Sequence, residues 1–148
     1  MAKTNEPRVK PAPLRLLAQD PDDLAIISAA MQDAVAKVGD INYEPRAQRL
    51  TIAFNRYCWE AGGSVRVRSA LQLGGVMKVQ ARKIRHAPRD AVIEVLAVSF
   101  DAGEAPGGMV TISCAGGGDL RAAVECLDAV LADVSEPWPT PREPAHKE

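Results

Sequence analysis

Alternation with a period of two runs through the middle of this chain, and it restricts the fold more than any other feature. Val65, Val67, Leu71 and Leu73 alternate with Arg66, Arg68, Ala70 and Gln72. That is the pattern of a strand with one face on a core and one in solvent, its odd-numbered side inward. After Gly74-Gly75 the alternation resumes, with Met77, Val79 and Ala81 against Lys78, Gln80 and Arg82. Leu50, Ile52 and Phe54 repeat it beside Thr51 and Ala53, and a turn at 44–47 joins them to a strand over 35–43 as a hairpin. Residues 91–100 are apolar on both sides, as in a doubly covered strand. Short strands at 14–18 and 109–114 complete a succession with few crossovers, which predicts an antiparallel meander rather than a parallel sheet.

Two segments carry helical spacing instead. Asp20-Pro21-Asp22-Asp23 supplies a side-chain acceptor at the N-cap, proline at the first helical position and carboxylates where the helix dipole is positive. Leu24, Ile27, Met31 and Ala34 then predict a helix ending near Asp33. At the other end Leu120, Val124, Leu127, Leu131 and Val134 predict a second helix. Asp119 would cap it, Arg121 and Glu125 would pair on its outer face, and Gly116 to Gly118 would form its joint to the preceding strand. The fold class that follows is α+β: an antiparallel, curled sheet of six to seven strands with an N-terminal helix and a C-terminal capping helix. In outline this is similar to a pleckstrin-homology-like barrel or a two-layer sandwich.

Prolines mark the ends. Pro7, Pro11 and Pro13 precede the first apolar stretch, and Pro137, Pro139, Pro141 and Pro144 follow the last. The expectation is a disordered arm over 1–13, one globular domain over 14–134 and a proline-rich disordered tail over 135–148. The opening residues lack the apolar core of a secretory signal, and no apolar run reaches the ~18 residues of a membrane helix, so a cytoplasmic protein without a membrane span is expected.

Chemistry-bearing motifs are sparse. Three separated cysteines, Cys58, Cys114 and Cys126, read as buried free thiols. With His86 and His146 as the only histidines and no paired-cysteine motif, neither a metal site nor a cofactor is expected. No hydrolase elbow or zinc-protease motif is present, and the glycine run fits neither a P-loop nor a dinucleotide fingerprint. No catalytic residue is assigned; an enzymatic reading would require His86 in a pocket beside a carboxylate such as Asp90.

Charge is the informative signal. Between residues 61 and 89 lie seven basic residues and no acidic one, against a formal total of −1, so the rest of the chain carries −8. If the strands around Gly74-Gly75-Val76 form a hairpin, Leu73 faces Met77, Leu71 faces Val79, and Arg68 stands opposite Arg82. Arg66, Arg68, Lys78 and Arg82 then gather on one face as a site for an anionic protein or a phosphate-bearing ligand. Nucleic acid fits less well, because no aromatic residues interleave the basic strand. The alternative is that acidic side chains such as Asp22, Asp23, Asp33, Asp128 or Asp133 fold over the arginines. The protein would then be structural, acting as a homo-oligomer through a sheet edge.

Taken together, PLRLLAQDPDDL, ISAAMQDAV, RVRSALQLGGVMKVQARKI and TISCAGGGDLRAAVECLDAVLADV resemble a family of short, uncharacterised alphaproteobacterial proteins known only as a domain of unknown function. The resemblance covers residues 13–134, and the Ala-Gly-Gly-Gly joint with Val124-Glu125-Cys126 is its most distinctive part. It implies a bacterial, cytoplasmic, single-domain protein and supplies no ligand or catalytic residue. The expected function is a non-enzymatic binding or adaptor module.

Overall fold

A computed structural model describes residues 13–59, 65–84 and 88–140. The chain begins with β1 (Arg15–Ala18) and enters α1 (Pro21–Met31), where the Asp20 carboxylate accepts from the Asp23 N–H at 2.8 Å as the capping pattern requires. β2 (Val35–Lys37), a 3-10 turn (Val38–Asp40) and β3 (Ile41–Glu44) replace the single strand expected over 35–43. Then follow β4 (Arg49–Tyr57), β5 (Val65–Leu73), β6 (Val76–Arg82), β7 (Val92–Ala102) and β8 (Gly108–Cys114). β9 (Asp119–Val124), β10 (Ala129–Asp133) and the short β11 (Trp138–Pro139) close the described chain.

The strands form one sheet in the order β1-β10-β5-β4-β2-β7-β8-β9-β6, with β3 on β4 and β11 on β5, and every pairing is antiparallel. Only Gly74 and Gly75 separate β5 from β6, although the two strands stand far apart in that order. So short a link spans about 10 Å at most, so the sheet has to roll back on itself. The start of β6 is pinned there: the Val76 N–H donates to the Gln48 carbonyl at 2.8 Å, and the Tyr43 hydroxyl donates to the Val76 carbonyl at 2.9 Å.

The helix that fills the roll is α1. Leu24, Ile27 and Met31 are buried, and α1 packs on β1, β4 and β7. Ser28 turns its hydroxyl toward β7 and accepts from the Val98 N–H at 2.9 Å, beside the bulge between Val95 and Ala97.

The expected C-terminal capping helix does not form; its residues are the strands β9 and β10. The segment carries both periods. Leu120, Val124, Leu127 and Leu131 suit a helix, but Leu120, Ala122 and Val124, then Leu127, Ala129 and Leu131, alternate at period two and are all buried, while Val134 is 60% exposed. Pairing decides between the periods: β9 fits between β8 and β6, and β10 between β5 and β1, so both edges of each segment gain partners. The glycine run is accordingly a β8–β9 hairpin turn. Gly116 and Gly117 have φ of 90° and 93°, and a Cβ on Gly118 would stand 2.8 Å from the Lys83 carbonyl oxygen.

Cys58 and Cys114 are buried as expected, whereas Cys126 is exposed in the β9–β10 turn. Within the segment read as a tail, Trp138 and Pro139 pair with Arg66 and Val65. His86, His146 and most of the two terminal arms lie outside the described residues. Among the described residues no helix is long and apolar enough to cross a membrane. Those residues make one α+β domain.

Candidate functional site

The four cations expected on one ribbon are divided between two strands that do not pair. β5 has β4 on one side and β10 and β11 on the other, leaving no edge for β6, whose ladder partner is β9. Alternation reports which side of a strand faces inward but not which strand lies beside it, and the expected Arg68–Arg82 opposition fails for that reason.

On the outer side of β5, Arg66 lies between Tyr57 of β4 and Trp138 of β11. Its guanidinium donates to the Asn55 carbonyl at 3.2 Å and sits 5.9 Å from the centre of the Tyr57 ring. Arg68 donates to Asn55 Oδ1 at 3.1 Å and pairs with Asp40 at 3.1 Å. The carboxylate that covers Arg68 thus comes from the 3-10 turn, not from either predicted helix.

β6 places Lys78, Gln80 and Arg82 on the outer side, opposite Ala123, Arg121 and Asp119 of β9, with Met109, Thr111 and Ser113 of β8 in the next column. Arg82 donates to Asp119 Oδ2 at 2.8 Å, and Arg121 Nε stands 3.3 Å from Oδ1 of the same carboxylate. The Arg82 hydrogen bond holds the Asp119 carboxyl below the usual range; burial opposes this and the Arg121 charge adds to it. Asp119 Oδ1 and Arg121 Nε are nevertheless buried atoms without a well-directed hydrogen bond. Lys78 is exposed and has no ion-pair partner among the described residues. Arg82 and Arg121 therefore share one carboxylate within bonding distance on this face, Lys78 pairs with none among the described residues, and Glu125 continues the face beyond β9 beside Gly75.

Sequence reasoning missed Arg121 as a member of the group, because a helix over 119–134 turned it toward Glu125. The signal was present in the alternation of Leu120, Ala122 and Val124. A second missed pair is interior. Arg56 follows Leu50, Ile52 and Phe54 on the inward side of β4, and Asp133 follows Ala129 and Leu131 on the inward side of β10. Arg56 is fully buried and donates from Nε and Nη2 to the two Asp133 oxygens, both at 3.0 Å. The Ser69 hydroxyl and the Leu14 N–H donate to the same carboxylate at 2.6 and 2.8 Å. Burial pushes the Asp133 carboxyl up, but the hydrogen bonds from Arg56, Ser69 and Leu14 outweigh it and the net direction is down. An open cleft of about 110 Å³ beside Cys58, Val67, Asp133 and Glu136 meets this cluster. With both Asp133 oxygens engaged, the carboxylate ties β1, β4, β5 and β10 together and is not placed to act as a base.

Burial similarly pushes the Cys114 thiol up, with the Asp119 charge adding to it, which keeps this cysteine protonated and inert.

The sequence profile of a family described as a protein of unknown function, DUF2948, matches residues 14–146. The chain belongs to that family. The match spans all the described strands. A search of curated proteins finds no match.

Proposed function

We propose that this chain is a non-enzymatic binding module, working in a bacterial cytoplasm, whose outer β6–β9 face meets the acidic surface of a protein partner. The observation that carries this is the cationic group of the face: Lys78, Arg82 and Arg121 lie together, only the two arginines pair with a carboxylate, Asp119, and Lys78 is unpaired among the described residues, with Glu125 at the far end of the face beside Gly75. Guanidinium groups with donors to spare suit carboxylates, and a broad sheet face matches a protein surface better than a small ion. Arg66 and Arg68 contribute less, because Asn55, Tyr57 and Asp40 already engage them.

The full chain on a poly-glutamate matrix tests this. Retention that weakens steeply with salt and is lost in a Lys78→Glu, Arg121→Gln variant with an unchanged circular dichroism spectrum is the expected result. Retention unaffected by the two changes overturns the proposal. Stronger, equally mutation-sensitive retention on phosphocellulose redirects it to a phosphate-bearing ligand.

A further inference from the structure

The way the chain is held changes abruptly at Asp133. Up to that residue β10 lies between β1 and β5, and the Asp133 carboxylate accepts from Arg56, Ser69 and Leu14. Beyond it, residues 134–139 run along β5. The Val134 N–H donates to the Arg68 carbonyl at 2.7 Å, the Arg68 N–H donates to Ser135 Oγ at 3.0 Å, and Trp138 and Pro139 pair with Arg66 and Val65. Pro137 and Pro139 have no N–H to give to a ladder. Val134, Ser135, Glu136, Trp138 and Pro139 are all exposed, so this stretch buries little of its own surface.

The register also leaves slack. Asp133 stands opposite Ser69 and Trp138 opposite Arg66, so five residue steps run beside three on β5 and two residues are spare. The segment arches between those two fixed pairs. The cleft of about 110 Å³ is lined by Ser135, Glu136 and Pro137 of the arch together with Cys58, Val67 and Asp133. Cys58 and Val67 are buried, so the cleft ends on a thiol that bulk solvent does not reach.

We infer that residues 134–139 form a strap that lifts from β5 as a unit, with Asp133 as its fixed end, and that this strap controls access to the Cys58 thiol. Segments that bury little apolar surface and expose their backbone bonds open well below the free energy of global unfolding. The buried Arg56–Asp133 pair holds the fixed end, and the two spare residues let the strap swing without disturbing it. Arg66 loses Trp138 from its flank on opening but keeps the Asn55 carbonyl and the Tyr57 ring. Pro137 and Pro139 restrict the lifted chain, which lowers the entropy cost of closing again. The strap shares no strand with the β6–β9 face.

The cysteines of the full chain supply the test. Iodoacetamide labelling, followed residue by residue with mass spectrometry, reads the exposed Cys126, Cys58 beneath the strap, and Cys114, which is buried in β8 and reports global unfolding. In wild type Cys126 should label fastest and Cys58 slowly. Trp138→Ala removes the ring beside Arg66 and should speed Cys58 labelling about tenfold while Cys114 keeps its wild-type rate. Ser135→Ala, which removes the acceptor of the Arg68 N–H, should act in the same direction with the melting temperature retained. Cys58 labelling as fast as Cys126 in wild type, an unchanged Cys58 rate in both variants, or Cys58 and Cys114 rates that rise together in both, overturns the inference.

Discussion

Arginine meets two different fates in the two halves of the rolled sheet. In the half built from β1, β10, β5 and β4, each of the arginines Arg56, Arg66 and Arg68 has acceptors of its own: Asp133 for the first, the Asn55 carbonyl for the second, Asn55 Oδ1 and Asp40 for the third. In the half built from β6, β9 and β8, Arg82 and Arg121 divide a single carboxylate and Lys78 forms no ion pair among the described residues. Three cations are set against three in this comparison. What differs is the supply of oxygen acceptors, and that supply separates a charge that holds the fold together from one available to a partner.

The largest effect should come from breaking the interior pair. Asp133→Ala leaves the Arg56 guanidinium buried without its carboxylate, and the loss expected for an uncompensated interior charge is about 3–5 kcal/mol, read as a lowered urea midpoint. An unchanged midpoint would remove the distinction between the two halves. The same pair fixes an acid response. Asp133 has a folded-state pKa below its unfolded value, so its contribution is complete above the ordinary carboxylate value of about 3.9 and disappears as pH falls through the lower folded value. Asp133→Asn should therefore flatten the acid limb of a stability–pH curve.

A smaller effect is expected at Asp119. Asp119→Asn frees Arg82 and Arg121 together, so retention on poly-glutamate should increase, with elution moving to higher salt; a decrease would mean that the carboxylate positions the cations rather than competing for them.

Much of this was legible in the sequence, for reasons that differ from element to element. The Asp20-Pro21 start of α1 depends on chemistry within one helical turn, and the inward sides of β4 and β5 depend only on parity along a strand; both are local, and both are as expected. Strand partnership is not local. Nothing in Gly74-Gly75 distinguishes a hairpin from a crossing between the two halves of a rolled sheet, and the four-cation ribbon disappeared with that choice. The C-terminal segment satisfied two periods at once, and only the open edges of β5, β8, β6 and β1 resolved it. Parity also held a signal: Arg56 and Asp133 are charged residues on inward positions of two apolar series that flank β5, which is where a buried ion pair is to be sought.

The most direct measurement compares two variants that remove the same charge. Lys78→Gln and Arg68→Gln each subtract one positive charge from an exterior face, one from a residue without a carboxylate partner among the described residues and one from a residue paired with Asp40 at 3.1 Å. On poly-glutamate under one salt gradient, Lys78→Gln should elute clearly earlier than wild type and Arg68→Gln close to it. Equal shifts, or a larger shift for Arg68→Gln, would contradict the claim that unshared cations on the β6–β9 face form the binding surface.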